Sequence, residues 1–348
     1  MSNDSQQSES GAVEYPWQFN THDASTNLEK YAVLFNSWEY SKKLLAEINI
    51  FLVRFYAQME DAKTFTVAVA GSFGRMEASK QSDLDFMIFS TAALSSESKT
   101  LIIEGIRECS TAFNVTLPDS NGVFGRITQY GKLISRIGAR DETIHDLAER
   151  MLLLMESRAL YNKEIYQTTI ESVLSGYLWG MENDPTKEAL FMLNDVIRYF
   201  RSVCVHYQPG FWRQGNEWAI HGVKLWHSRI IMYGGLLLTI LNASIKPDKV
   251  AYLRRMVVLS PLERIISVYQ EANDDEYEKV LKLYDAFLER VQDDGFREKL
   301  AIPYEYRYSS NEYQEMKSSS LALMRELARF VFEQRGRWTD QVLDYLIF

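Results

Sequence analysis

The amino-acid sequence predicts an α+β protein in which a small domain with a mixed sheet is followed by an all-α domain. Two apolar runs in the first third of the 348-residue chain have the length of strands, residues 65–69 and 86–89. After Glu164 the apolar residues recur almost throughout at the three- and four-residue spacing of buried helix faces. No repeat of fixed period is found, which argues against a solenoid or a propeller.

Composition indicates a cytoplasmic globular protein. Hydrophobic residues make up 46% of the chain, enough for one large or two modest domains with real cores. The longest apolar run, residues 230–241, is about half the length of a membrane-spanning helix. Cys109 and Cys204 are too few for a disulfide framework, which favours a reducing compartment. We therefore expect no membrane partner.

The charge of the chain bears on its partners. The formal net charge is −9, and no run rich in lysine or arginine occurs. Proteins that bind extended nucleic acid usually present a basic face, because contacts with phosphates supply most of their affinity. An extended nucleic acid is therefore a disfavoured partner, although a local basic groove remains compatible with an acidic protein.

Taken in order, the chain divides into three parts. Residues 1–25 are polar and lack periodicity, which predicts a mobile tail. Residues 26–160 form the first domain, which begins with apolar residues at helical spacing from Leu28 to Met59, in one long helix or two shorter ones. Residues 161–348 form the all-α domain. It is expected to close one side of a ligand cleft.

The stretch from Phe65 to Ser90 carries the strongest local pattern. After the first alternating apolar run, Gly71 and Ser72 break the strand. A glycine lets the backbone approach a phosphate closely, and the amides and hydroxyl after it can hold that phosphate at a helix start. These residue types therefore favour a phosphate-binding turn.

Asp83 and Asp85 open the second run and are expected to lie in the second strand. Side chains two residues apart on a strand project to the same side, roughly 6–7 Å apart. Two carboxylates so placed can hold divalent cations, and hard oxygen ligands suit Mg²⁺ best. The simpler alternative is a strand, a turn and a strand with a solvated acidic edge.

The order of these residues resembles the nucleotidyltransferases of the polymerase-β superfamily. The strings that carry the resemblance are Gly71-Ser72-Phe73-Gly74-Arg75-Met76-Glu77 and Ser82-Asp83-Leu84-Asp85. They are most similar to the branch of uridylyltransferases that modify nitrogen-regulatory signalling proteins, and to the adenylyltransferases of glutamine synthetase. A later string, Leu154-Met155-Glu156-Ser157-Arg158, matches the same branch. The resemblance covers residues 65–161, under a third of the chain.

The resemblance implies transfer of a nucleoside monophosphate from ATP or another nucleoside triphosphate to an acceptor hydroxyl, with release of pyrophosphate. Asp83 and Asp85 would bind Mg²⁺, or Mn²⁺ as an alternative, and Gly71 and Ser72 would hold the β- and γ-phosphates. Arg75 would contact a phosphate or, as we prefer, pair with Glu77. A protein side chain or a small molecule is the favoured acceptor, given the acidic net charge.

A third carboxylate is common in the superfamily, on a third strand that the sequence predicts over residues 112–117. Asn114 stands at the matching position, and Asp119 follows the strand. Either Asp119 completes the catalytic set from a loop, or the site uses two carboxylates and Asp119 belongs to a turn. The asparagine also motivates a rival function, a non-catalytic module that senses nucleotide or acts like an antitoxin.

Two groups of polar residues stand out in the all-α domain. Lys224 and Ser228 share a face of a predicted helix over residues 217–241; Lys224 would reach the triphosphate or pair with a carboxylate such as Asp195. Asp195, Arg198 and Arg201 recur at helical spacing and could line the cleft. The Arg201-x4-His206 spacing is similar to a ribonuclease motif of helical toxin domains, although one arginine and one histidine at this spacing also arise by chance. The other predicted helices cover residues 164–179, 186–207, 247–259, 261–273, 275–291 and 311–334, with a last one after Trp338.

Overall fold

A computed structural model of the chain describes residues 28–118, 123–184, 186–213 and 217–347. The predicted mobile tail of residues 1–25 and the candidate Asp119 lie outside this part. Among the helices it describes, none is long and apolar enough to cross a membrane.

A small mixed sheet of four strands in the order β3-β2-β1-β4 lies at one side of the molecule. Strand β1 (Phe65–Val69) pairs antiparallel with β2 (Phe86–Ser90) and with β4 (Arg158–Tyr161), whereas β3 (Ile127–Gln129) runs parallel to β2. All residues of β1 and β2 are buried, and helices pack against the sheet. The predicted first two strands and the small mixed sheet are confirmed.

The predicted third strand over residues 112–117 is wrong. Helix α3 (Ser96–Phe113) occupies its beginning, and Asn114 ends the helix in the left-handed conformation, with φ of 51°. Asparagine tolerates this conformation better than most residues, so it serves as a helix cap here. The residues that follow are bound to the segment just before β2, where Leu84 N donates to Thr116 O at 2.8 Å.

Most of the other described residues are helical, as the sequence predicts. The helices are α1 (Ala32–Tyr56), α2 (Gly71–Gly74), α4 (Tyr130–Ser135), α5 (Ile144–Glu156), α6 (Lys163–Tyr177), α7 (Leu190–Arg213), α8 (Trp218–Trp226), α9 (Ser228–Ala243), α10 (Lys249–Val257), α11 (Pro261–Glu271), α12 (Tyr277–Gln292), α13 (Asp294–Leu300), α14 (Asn311–Gln334) and α15 (Asp340–Ile347). The single helix expected over residues 217–241 is instead two helices, α8 and α9, interrupted at His227.

One hydrophobic core runs through the sheet and the later helices. Helix α1 contacts both the sheet region and the later helices, since it packs against α3 and β4 and also against α12. The backbone N–H of Leu34, in α1, donates to Oδ1 of Asp285, in α12, at 2.8 Å. Helices α9 and α11 approach closely at Gly235, where a Cβ would lie 2.5 Å from the carbonyl oxygen of Pro261.

Candidate functional site

The turn after β1 is built around two glycines that leave no room for side chains. Gly71 has φ of 61°, and a Cβ at this position would overlap Oδ2 of Asp85. A Cβ on Gly74 would overlap the backbone oxygen of Glu156. Glycine is therefore required at both positions, and the short helix α2 sits directly against the start of β2 and the end of α5.

Asp83 and Asp85 lie just before β2, which begins at Phe86, so the expectation that they lie within the strand is wrong. Pairing still orders this segment, because Asp85 O accepts from Ala70 N at 2.7 Å and Leu84 N donates to Thr116 O at 2.8 Å. Leu84 is buried, whereas the aspartates on either side of it line one cavity. Asp83 and Asp85 thus face the cavity and Leu84 does not, as the predicted alternation requires, although these residues are not part of the strand.

That cavity brings together all the predicted metal- and nucleotide-binding residues that the structure describes. Its walls are the turn after β1, the residues before β2, and parts of α8, α9, α12 and α13. Among its lining residues are the seven predicted ones, Gly71, Ser72, Arg75, Asp83, Asp85, Lys224 and Ser228. Arg201 and His206 are not among the described residues that line it, nor are Asp195 and Arg198.

Arg75 forms ion pairs with two glutamates. Its Nε donates to Oε1 of Glu77 at 2.6 Å, and Nη1 pairs with Oε2 of Glu156. Glu77 in turn accepts from the hydroxyl of Tyr284 at 2.5 Å. Because its guanidinium is nearly buried between these carboxylates, Arg75 braces the turn, which is the role that the sequence favours for it.

Glu156 is the buried anchor beneath the turn. Its carboxylate accepts from Arg75 and from Nη1 of Arg229 at 2.9 Å. Burial alone would raise the pKa of Glu156, but the two arginines outweigh it and hold the pKa below its usual range. Ser72 lines the cavity, where its hydroxyl can donate to a ligand.

Charges of opposite sign face each other across the cavity. Burial raises the pKa of Asp85 to about 6; Arg229 opposes this rise, while the negative charges of Glu156 and Asp83 add to it. Lys224 lines the cavity from an exposed position on α8; desolvation of its ammonium, together with Arg297 and Arg229, lowers its pKa, and Asp83 opposes this. Both groups therefore occupy positions where a ligand of opposite charge would be favourable.

Lys224 does not pair with Asp195, so that alternative is wrong. Asp195 accepts from Tyr177 at 2.6 Å and from Arg150 at 3.1 Å, in a separate buried cluster. Lys224 has no ion pair within 4.0 Å among the residues that the structure describes. The Ser228 hydroxyl donates to the carbonyl oxygen of Lys224 at 3.1 Å and keeps its lone pairs for a further partner.

Arg229 and Arg297 also line the cavity, and the sequence did not single them out as site residues. Arg229 follows directly after Ser228, but on a continuous helix successive side chains point about 100° apart, so Arg229 would not share the face of Lys224 and Ser228. Arg297 lies in α13 and donates to Oε1 of Gln81 at 2.5 Å, which ties α13 to the loop before Asp83. No local pattern marks Arg297, because only the tertiary fold brings α13 to the loop.

The residues present fit a magnesium ion. Among the described residues no group of three or more His, Cys, Asp or Glu side chains could hold a metal. Mg²⁺ is usually bound in such sites by one or two carboxylates, with substrate phosphates and water completing its six oxygens. Asp83 and Asp85 supply two carboxylates, and Ser72 and Ser82 bring hydroxyl oxygens to the same cavity. This donor set suits Mg²⁺ in the presence of a phosphate ligand.

Comparison with known proteins found no family model that matches the chain and no curated protein that is similar to it. The functional argument therefore rests on the residues of this cavity.

Proposed function

We propose that the protein is an Mg²⁺-dependent nucleotidyltransferase that moves a nucleoside monophosphate from ATP or another nucleoside triphosphate to an acceptor hydroxyl, releasing pyrophosphate. One observation carries the proposal: Asp83 and Asp85 face three cationic side chains, Lys224, Arg229 and Arg297, across a single cavity beside a glycine turn. A bound metal and a polyphosphate are the pair of ligands that this separation of charge favours.

Each wall of the cavity has its own task in this proposal. Asp83 and Asp85 hold the metal, and when bound it would lower the pKa of the attacking hydroxyl and neutralise charge on the leaving pyrophosphate. Ser72 donates to a phosphate oxygen, while Gly71 lets the phosphate approach the backbone. Lys224 and Arg297 bind the phosphates from the helical side. Most of the rate enhancement then comes from orientation and charge stabilisation.

The acceptor hydroxyl belongs to a protein side chain or a small molecule, since the net charge of −9 disfavours an extended nucleic acid. We place the activity in the cytoplasm, which the two unbonded cysteines Cys109 and Cys204 favour. The second candidate function is a nucleotide-sensing module without catalysis. It is favoured because no group of three or more His, Cys, Asp or Glu side chains among the described residues could hold a metal: Glu77 also lines the cavity, but its carboxylate is bound to Arg75 and Tyr284.

Incubation of the protein with each α-labelled nucleoside triphosphate and Mg²⁺, with and without a cell lysate as acceptor, tests the proposal. We expect label to move to an acceptor with one or two of the nucleotides, and the variant with both Asp83→Asn and Asp85→Asn to transfer none. Nucleotide binding without transfer in every lysate supports the sensing module. Transfer by the double variant at the wild-type rate contradicts the metal-binding role of the two aspartates.

A further inference from the structure

The break between α8 and α9 changes which side chains reach the cavity. His227 has φ of −119° and ψ of −80°, outside the helical region, and separates the end of α8 at Trp226 from the start of α9 at Ser228. On one continuous helix, five residues turn through about 500°, so Lys224 and Arg229 would point about 140° apart. Instead, both line the same cavity.

The His227 side chain is bound on three sides. Its ring is fully buried and stacks on Phe287, with ring centroids 4.4 Å apart and planes 5° apart. Nδ1 lies 2.8 Å from the carbonyl oxygen of Val223, and Nε2 lies 3.3 Å from the hydroxyl of Ser319. The ring thus connects the last turn of α8 to α12 and α14, and Phe287 itself lines the cavity.

The hydrogen-bond partners determine the tautomer. A carbonyl oxygen can only accept, so Nδ1 carries the hydrogen and donates to Val223 O, one of the carbonyl groups that lack a partner at the end of a helix. Nε2 then accepts from the Ser319 hydroxyl. Burial lowers the pKa of His227 to about 4, so the neutral ring persists at physiological pH.

We propose that His227 is a positioning residue of the site: its Nδ1–H holds the end of α8, and the resulting break lets Lys224 face the polyphosphate while Arg229 reaches Glu156 in the same cavity. The inference rests on the proposed function, in which the cavity binds the triphosphate. It assigns a role to a residue that contacts no ligand. The role depends on the donor at the Nδ1 position and not on a charge.

Two uncharged variants separate this role from simple packing. In His227→Asn the side-chain amide can occupy the position of Nδ1 and donate to Val223 O, whereas in His227→Gln the amide reaches toward Nε2. The probe is inorganic tripolyphosphate, titrated calorimetrically without metal, and thermal melting checks folding. We expect His227→Gln to weaken binding by about tenfold or more, the loss of one charge-assisted contact, and His227→Asn by no more than about threefold.

A double variant gives a second readout. If His227 acts through Lys224, the fold-loss caused by His227→Gln shrinks in a Lys224→Met background, because the contact it positions is already missing. Additive losses overturn the inference. Two further results also overturn it: a folded His227→Asn variant that loses tenfold or more in affinity, or a folded His227→Gln variant that binds like wild type. Wild-type protein that binds neither tripolyphosphate nor any nucleoside triphosphate overturns the proposed function itself.

Discussion

Asp85 shows how a single residue meets structural and functional demands that conflict. Its backbone carbonyl belongs to the start of the sheet, and its carboxylate packs against the Cα of Gly71 beside Glu156. Burial and the neighbouring negative charges favour the protonated carboxyl group and raise its pKa from 3.8 to about 6. Ionised Asp85, the form that would bind a metal, therefore destabilises the folded protein when no metal is bound.

Asp85→Asn is expected to stabilise the apoprotein while abolishing transfer. The folded protein binds this proton more tightly than the unfolded chain, so wild-type stability falls as pH rises from about 3.8 to about 6. At pH 7.5 the variant, which mimics the neutral group, should gain about 1–3 kcal/mol over wild type, and near pH 4 the gain should vanish. Urea denaturation at both pH values measures the difference. A gain that is independent of pH would mean that another group is responsible.

Lys224→Met is expected to leave the apoprotein as stable as wild type or more stable, because the ammonium has no ion pair among the described residues and burial lowers its pKa. Nucleotide binding should weaken by about 1–3 kcal/mol, the scale of a charge-assisted contact. Isothermal titration and a thermal melt give the two numbers. Lys99→Met is the matched control, since Lys99 is exposed on α3 and does not line the cavity. Unchanged affinity in the Lys224 variant would remove this lysine from the site.

At the scale of elements, one buried arginine joins the ends of two helices. Arg264, in α11, donates to Leu154 O and Met155 O at the end of α5, at 2.8 and 2.9 Å. It also donates to Met256 O and Val257 O at the end of α10, at 3.0 and 2.6 Å. The last four carbonyl groups of a helix have no partner within it, and a cation there also interacts favourably with the helix dipole. Arg264 thereby positions the end of α5, where Glu156 lies.

Arg264→Met should therefore destabilise the protein by about 3–5 kcal/mol, since it leaves buried carbonyl groups without donors. Arg264→Lys should recover only part of this loss, because a single ammonium cannot reach four carbonyl groups in the geometry of a guanidinium. Denaturant titration measures both variants, with Arg290→Met as the control for an exposed arginine. A lysine variant as stable as wild type would show that charge alone suffices at this position.

At the scale of the whole molecule, buried ion pairs connect the turn after β1 with the helical part. Glu156 receives Arg75 from the turn and Arg229 from α9, and Glu77 receives the hydroxyl of Tyr284 from α12. The sheet and the helices also share one core through α1. We therefore expect the two parts to unfold together, with circular dichroism and tryptophan fluorescence reporting coincident transitions.

Glu156→Gln tests this connection. Removal of the charge leaves two arginines, one of them almost fully buried, without their shared partner, which should cost about 3 kcal/mol or more. Both spectroscopic transitions should shift together. Glu171→Gln is the matched control: Glu171 pairs with Arg254 at the surface, so it should cost less than about 1 kcal/mol. If only one transition shifts in Glu156→Gln, the two parts fold independently of this pair.

Local patterns in the sequence were sufficient for the central strands and for most of the helices. Strand β1 covers the residues of the first alternating run, and α14 has the predicted bounds 311–334. The sequence also allowed the glycine turn and the carboxylates of Asp83 and Asp85 to be assigned to one site. Their conformations and spacing depend on neighbours only a few residues away.

The tertiary structure alone decided the rest. Strands β3 and β4 have three and four residues and owe their conformation to pairing with β2 and β1, which no short window of sequence reveals. Asp195 pairs with Arg150 and not with Lys224. Arg297 lines the same cavity as Asp83, although the two residues are more than 200 positions apart in the sequence. The helix is interrupted at His227, whose ring contacts Phe287 of α12 and Ser319 of α14. Such choices follow from contacts between distant segments, whose energies a local pattern does not contain.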